Sequence, residues 1–248
     1  MIKYDLNNRV AVVTGGAQGF GLAITEKFIE AGAKVVIWDI DENAAKEAID
    51  KLKSEHLSHQ IVDVTNFEIV NKNLEEVEKK YGKIDIFVNN AGIVGPRCRF
   101  ESLPIGELAN VLAVNVTGLA QCTQEALKRM STRHGGTGGA IVNVSSGAAH
   151  RGNPGGAVHY AVSKGAVNSL TIGLSQELAG EGIRVNTVSP GLTATDMPDA
   201  AVLESAGPTI PMGRVGEADE IAAAIVWLLS DQASYVAGAN IRVAGGRP

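Results

Sequence analysis

Seven short apolar runs, each separated from the next by a stretch of mixed polarity, restrict this chain more than any other feature. The runs are VAVVT (10–14), KVVIWD (34–39), QIVDV (60–64), IDIFVN (84–89), AIVNVSS (140–146), IRVNTVS (183–189) and NIRVA (240–244). Between them, helical patterns occupy about 20–32, 41–55, 66–81, 104–133, 160–180 and 217–230. Strands that are apolar almost throughout are covered on both faces. Their regular alternation with helices predicts an α/β fold, a doubly wound parallel sheet of about seven strands flanked by helices. The 248 residues suit one such domain, and no linker or repeat divides them.

Composition removes several functional classes. Aromatic residues make up only 4% of the chain, too few for a stacking surface along single-stranded nucleic acid. A net charge of −5 gives no general basic footprint for phosphate backbones. The apolar run IAAAIVWLL (221–229) is too short to span a bilayer and lies between Glu220 and Asp231, so no membrane association is expected. Cys98 and Cys122 show neither a CxxC nor a metal-ligand spacing, and no metal site is expected. Two reduced thiols, and an N-terminus without a cationic start and long apolar stretch, predict a cytoplasmic protein. One shift in composition stands out. Up to residue 96 there are ten lysines and one arginine, and from residue 97 there are two lysines and nine arginines. Either uneven drift within a gene or a chimera joined near NNAGIVGPR (89–97) gives that pattern.

The glycine-rich stretch TGGAQGFG (14–21) follows the first predicted strand and opens the first helix. Gly15, Gly19 and Gly21 allow a tight turn and a close approach of backbone to a pyrophosphate, which then rests on the helix N-terminus. Gln18 and Phe20 lie within the same turn. Asp39 ends the second strand, 18 residues after Gly21, where a carboxylate can accept bonds from the adenosine ribose hydroxyls. It would repel a 2′-phosphate. Gln18 and Ile40 supply no cation to hold one, so NAD(H) is favoured over NADP(H). Asp39 could instead cap the next helix, although Asp41 suits that task as well. Asp63 and Val64, at the end of the third predicted strand, are candidates for holding adenine. In NNAG (89–92), Asn90 and Gly92 are candidates for cofactor contact, and for Asn89 a structural role weighs at least as much as ligand contact.

The stretch HYAVSK (159–164) places Tyr160 and Lys164 four residues apart, on one face of a helix. Free tyrosine and lysine titrate near ~10 and ~10.4, so neither is an obvious acid or base at neutral pH. Read alone, the pair is a solvated helix face. Asn115 alone reads equally as a helix-distorting residue or a catalytic one, and Ser145 competes with Ser146 at the end of the fifth strand.

Taken together, TG-x3-G-x-G, NNAG, Asn115, Ser146, Tyr160-x3-Lys164 and the Pro190-Gly191 turn resemble the short-chain dehydrogenase/reductase family, from Val10 to Gly246. The resemblance implies a single-domain Rossmann fold and a catalytic tetrad of Asn115, Ser146, Tyr160 and Lys164. It implies that Lys164 and an oxidised nicotinamide depress the pKa of the Tyr160 phenol, which then serves as base or acid near neutrality. Lys164 and Tyr160 would bond the nicotinamide ribose, and Ser146 would hold the substrate oxygen. Asn115 would hold a water behind Lys164. In SPGLTATDM (189–197), the backbone of Thr193 and the hydroxyl of Thr195 would fix the carboxamide, and 196–212 would cover the substrate. His150, His159, Arg97 and Cys98 could edge the pocket. Trp38 and Trp227 read as packing.

The implied function is NAD(H)-dependent interconversion of a small-molecule ketone and a secondary alcohol: ketoreductase, sugar or polyol dehydrogenase, or 3-oxoacyl reductase. The alternative is a non-catalytic dinucleotide-binding scaffold of the same fold. The resemblance also implies a homotetramer built through the long helices and the C-terminal strand.

Overall fold

Alternate residues along each central strand feed opposite faces of one sheet, and this produces two separate cores. A computed structural model describes residues 4–195 and 204–247. In strand β1 (Val10–Thr14), Ala11 and Val13 enter one core and Val10 and Val12 the other. The first core packs helix α1 (Gly19–Glu30), through Ile24 and Phe28, beside helix α8 (Ala218–Leu229), through Ile221 and Ile225. The second buries Val70 and Leu74 of α3 (Phe67–Tyr81) together with Cys122, Ala126 and Met130 of α5 (Leu119–Met130). Each fully buried aliphatic side chain contributes roughly 1.5–3 kcal/mol relative to exposure, so covering both faces is what makes the sheet stable.

The sheet has seven parallel strands. From β1 the chain steps outward to β2 (Lys34–Asp39) and β3 (Leu57–Ile61), with α2 (Glu42–Leu52) crossing between them. It then returns through α3 to β4 (Ile86–Asn89), on the other side of β1. From there it continues to β5 (Gly139–Val144), β6 (Ile183–Pro190) and β9 (Asn240–Val243). Strand order therefore reverses between β1 and β4, and a crevice opens beyond their carboxyl ends. The 21-residue helix α7 (Val158–Leu178) crosses from β5 to β6. A short α4 (Glu107–Leu112) precedes α5, a single turn α6 (Ala148–Arg151) follows β5, and two-residue strands β7 (Thr193–Ala194) and β8 (Gly216–Glu217) pair beyond β6. Among the described residues, no helix is long and apolar enough to cross a membrane, and no acidic, histidine or cysteine cluster could hold a metal.

Two expectations need correction. The third strand is Leu57–Ile61 rather than 60–64, in register with Val35–Asp39 of β2. Asp63 and Val64 lie past it, because Asp63 turns the chain by accepting from the Thr65 amide at 2.9 Å and the Thr65 hydroxyl at 2.7 Å. The predicted helix 104–133 is not continuous. It is broken by a π-helical turn at Ala113–Gly118, between α4 and α5. Asn115, fully buried in that turn, bonds outside the helix and so holds the wider winding open.

A chain of buried hydrogen bonds fixes α5 and α7 on the sheet. Asn89 of β4 donates to Thr123 of α5 at 2.9 Å and to Asn143 of β5 at 2.8 Å. Asn143 donates to Thr171 of α7 at 2.9 Å, and Thr187 of β6 bonds the same hydroxyl at 2.8 Å. Of the two roles the sequence leaves open to Asn89, these bonds serve the structural one.

Candidate active site

The crevice between β1 and β4 is a cleft of about 520 Å³. Its floor is the turn after β1. Gly15 there has φ +60°, and a Cβ on it would lie 3.0 Å from the Ala91 Cα. A Cβ on Gly21 would lie within bonding range of the Gly15 carbonyl oxygen, so only glycine permits the first helical turn to close on the loop. The amides at the start of α1 open into this cleft, the arrangement that receives a phosphate. Gln18, Gly19, Phe20, Asp39, Ile40, Asp63, Val64, Asn90 and Gly92 line it as well, and these residue types suit a dinucleotide along their length.

Several of these side chains also hold the cleft in shape. Asp39 accepts from the Ala17 amide and the Asp41 amide, both at 3.1 Å, so it braces the glycine turn, while Asp41 caps α2 through Asn43 and Ala44. Asn90 spends its amide donors on the carbonyls of Thr14 at 3.0 Å and Gly15 at 2.9 Å, clasping β4 to the turn. The Thr14 hydroxyl accepts from the amides of Asn90 and Ala91. Sequence reasoning missed Thr14; its signal was a hydroxyl at a strand end facing a glycine turn.

The other end of the cleft gathers Ser146, Tyr160 and Lys164. The predicted strand 140–146 stops at Val144, which leaves both serines beyond the sheet. They divide the work. Ser145 is buried and donates to the Lys164 carbonyl at 3.1 Å. The Ser146 hydroxyl stands near enough to the Tyr160 phenol to bear on its acidity, and it accepts from the Ala148 amide at 3.1 Å. Lys164 is 4% exposed, and its ammonium donates to the Val144 carbonyl at 2.8 Å. That nitrogen lies 5.8 Å from the centre of the Tyr160 ring. Gly92 leaves room for it, since a Cβ there would lie 3.4 Å from the ammonium and 3.1 Å from the Asn115 amide oxygen.

Asn115 reaches this group from the π turn. Its oxygen accepts from the Ile93 amide at 2.8 Å, and its nitrogen donates to the Ile93 carbonyl at 2.8 Å and the Ser163 hydroxyl at 3.0 Å. Ser163 in turn donates to the Tyr160 carbonyl at 2.7 Å. The amide thus ties the loop after β4 to the turn of α7 that carries the phenol. Ser163, three residues after Tyr160, escaped the sequence reading because a serine inside a helix carries no distinct signal.

Burial sets the electrostatics. It pushes the Lys164 ammonium down to about 8, because no carboxylate offsets the loss of water. The Tyr160 phenol stands above its ordinary value. Burial raises it, while the nearby Ser146 hydroxyl and the charge of Arg97 pull it part of the way back. The expected depression of this phenol is therefore not produced by the chain's own residues, because desolvation outweighs them.

The remaining candidates separate. Thr195 and Pro190 line the cleft, whereas Thr193 is buried with its hydroxyl bonded to the Gly191 carbonyl at 3.2 Å. His150 is exposed and meets Asn240 at 3.4 Å, on the β9 side. His159 is buried, bonded through Nε2 to the Val94 carbonyl at 2.9 Å. Trp38 packs edge-on against Phe87, and Trp227 packs against the first core. Part of the predicted covering segment, 196–203, lies outside the described residues.

Comparison with known proteins gives this geometry its setting. Residues 15–247 match the family described as Enoyl-(Acyl carrier protein) reductase. The chain is 41% identical over 245 residues to an uncharacterized oxidoreductase, YgfF, of Escherichia coli, covering 96% of this chain and 99% of that protein. It is 40% identical over 247 residues to a 3alpha-hydroxysteroid dehydrogenase of Mediterraneibacter gnavus, covering 97% of each. The crystal structure of a 3-ketoacyl-(acyl-carrier-protein) reductase from Brucella melitensis complexed with NADH superposes with a TM-score of 0.93 at 33% identity, covering 98% of this chain and 99% of that one. On this agreement of motif, fold and full-length similarity, the chain belongs to the short-chain dehydrogenase/reductase family, oxidoreductases that interconvert ketones and alcohols with a nicotinamide dinucleotide.

Proposed function

We propose that this protein is an NADH-preferring reductase of ketones, running in reverse as a secondary-alcohol dehydrogenase, with Tyr160 as its proton donor and acceptor. The observation that carries the reading is the meeting of the Ser146 hydroxyl, the Tyr160 phenol and the Lys164 ammonium at one end of a cleft whose other end is a glycine turn.

The glycine turn, with Gly15, Gly19 and the α1 amides, would hold the pyrophosphate, and Gln18 and Phe20 would flank it. Asp39 would take the adenosine ribose hydroxyls and exclude a 2′-phosphate, with Ile40, Asp63 and Val64 around the adenine. Gly92 and Asn90 would lie along the middle, Lys164 and Tyr160 at the second ribose, and Thr193 and Thr195 by the carboxamide. The cofactor, when bound, supplies or accepts the hydride.

The chain's own groups move the proton and hold the charge. In reduction, the Tyr160 hydroxyl gives its proton to the carbonyl oxygen; in oxidation, the phenolate takes the proton from the alcohol. A raised phenol is neutral at pH 7, which suits it to the reductive direction. Ser146 donates to the same substrate oxygen as negative charge grows there. The Lys164 ammonium favours the phenolate once it forms. Asn115 fixes the loop after β4 against α7, leaving the π turn to offer main-chain groups to a water behind Lys164.

We also propose a homotetramer. Val162 and Ile172 stand exposed on the outer face of α7, and Tyr235 stands exposed before β9, as an assembly through these elements would require. The two unpaired thiols suit the cytoplasm. A purely cofactor-sensing role would leave the Ser146–Tyr160–Lys164 set without a use.

The test is a spectrophotometric panel of neutral ketones, sugars, 3-oxoacyl and enoyl thioesters with NADH and NADPH. Ketone-dependent NADH oxidation is expected, lost in Tyr160→Phe while NADH binding survives. Cofactor binding without turnover of any carbonyl would overturn the reading, and turnover of enoyl thioesters alone would replace it.

A further inference from the structure

The loop after β4 carries one cation, Arg97, alongside the segment that leads into α7 and Tyr160. On one side, His159 bonds the Val94 carbonyl at 2.9 Å. Gly95 turns at φ +73° against that ring, where a Cβ would lie 3.0 Å from both the His159 Nε2 and the Val111 Cγ2. On the other side, the Cys98 amide donates to the Gly156 carbonyl at 2.8 Å, which joins this loop to the segment leading into α7. Arg97 lies between the two anchors. Its backbone is pinned on both sides while its side chain is exposed. The nearest acid in the chain, Glu101, is taken by Arg99. Among the described residues, Arg97 has no ion pair and no hydrogen bond. Its charge nonetheless reaches the Tyr160 phenol.

A guanidinium on a rigid turn, lacking a carboxylate of its own beside a reactive phenol, is arranged to receive one from outside. We propose that Arg97 is the substrate-recognition cation of this site, and that the ketone the enzyme reduces carries a carboxylate. The inference rests on the ketone-reductase reading above and adds the substrate's charge. The planar fork of arginine matches the two oxygens of a carboxylate. One cation balances one carboxylate, whereas a phosphate dianion would leave a charge uncompensated. With its carbonyl oxygen at Ser146 and Tyr160, such a substrate would turn its acid end toward the loop after β4.

The experiment compares matched pairs, 4-oxopentanoate and 5-oxohexanoate each beside its methyl ester, in the wild type, Arg97→Gln and Arg97→Lys. The ratio of kcat/KM for acid over ester isolates recognition, because any effect of Arg97 on the phenol is common to both. In the wild type the acid is expected to be favoured about tenfold or more, mostly through KM. Arg97→Gln should bring the ratio close to one, and Arg97→Lys should restore part of it. An ester used as well as its acid, or a ratio unchanged in Arg97→Gln, overturns the proposal while leaving the ketone-reductase reading intact. If none of these four compounds is turned over, the ketone-reductase reading is judged by the wider carbonyl panel, and titration calorimetry of the two oxo acids onto the cofactor-loaded protein decides this one. Binding that weakens about tenfold in Arg97→Gln upholds Arg97 as a carboxylate site; equal binding, or none, removes it.

Discussion

Lys164 offers the sharpest test of the electrostatics. Its ammonium is buried and bonded to a carbonyl, and its pKa falls from 10.5 to about 8. The gap between those values corresponds to about 3 kcal/mol. Because the folded value is the lower one, the unfolded chain binds more protons between about pH 8 and pH 10.5. The cost of burying the charge is therefore fully present below pH 8, and stability recovers as pH rises through that window. By about pH 9.5 the recovery should reach about 2 kcal/mol. Lys164→Met keeps the volume and removes the titration. It also removes the bond to the Val144 carbonyl, but that loss is an offset independent of pH. Urea unfolding of both proteins, followed by tryptophan fluorescence at one fixed concentration, gives the difference at each pH. That difference should be flat from about pH 6 to pH 7.5, then move by about 2 kcal/mol in favour of the wild type by pH 9.5. Parallel stabilities across the whole range would mean that the ammonium is not desolvated, and the account of this site would fail.

Three further outcomes follow from particular contacts. Asp39→Ala should narrow the preference for NADH over NADPH in paired KM measurements and lower stability by about 1 kcal/mol as the Ala17 amide loses its acceptor; an unchanged preference refutes the cofactor assignment. Gly21→Ala drives a Cβ into the Gly15 carbonyl, so thermal unfolding should show a loss of about 2 kcal/mol or more together with weakened NADH binding; an unaltered Tm would mean the turn is looser than described. Asn115→Ala removes three hydrogen bonds from a fully buried position, and calorimetry should record a loss of about 2–4 kcal/mol with kcat falling further than NADH affinity; equal losses in both would assign Asn115 to the cofactor instead.

The sheet was legible because its strands are apolar on both faces and alternate regularly with helical patterns. Asp41 stands where an N-cap belongs, and it bonds the first turn of α2. The glycine turn was legible from its place between a strand and a helix, and the Tyr160–Lys164 pair only through its combination with that turn, NNAG, Asn115 and Ser146, the set that resembles the family. The third strand slipped because 57–61 is an edge strand of mixed polarity, in which Leu57 and Ile61 flank three polar residues. The run 60–64 is the more apolar, but Val62 and Val64 pack into the core from the turn instead. The π turn was hidden because its cause is distant: Asn115 is held by Ile93 and Ser163, residues 22 and 48 positions away. The direction of the Tyr160 shift could not be read from spacing either, since it depends on how much water the fold removes.

A π turn holds one residue more per turn than an α-helix of the same reach. At Ala113–Gly118 that surplus is what pushes Asn115 sideways into the clasp. Excising a single amino acid there would let α4 run straight into α5 with the outer faces of both in phase, and the amide would withdraw. The proposed catalytic machinery would thus be separable from the scaffold by a minimal genetic change. A one-codon deletion of this kind would yield a soluble, cofactor-binding protein with unaltered circular dichroism and little turnover, a route by which an enzyme of this architecture can become a sensor.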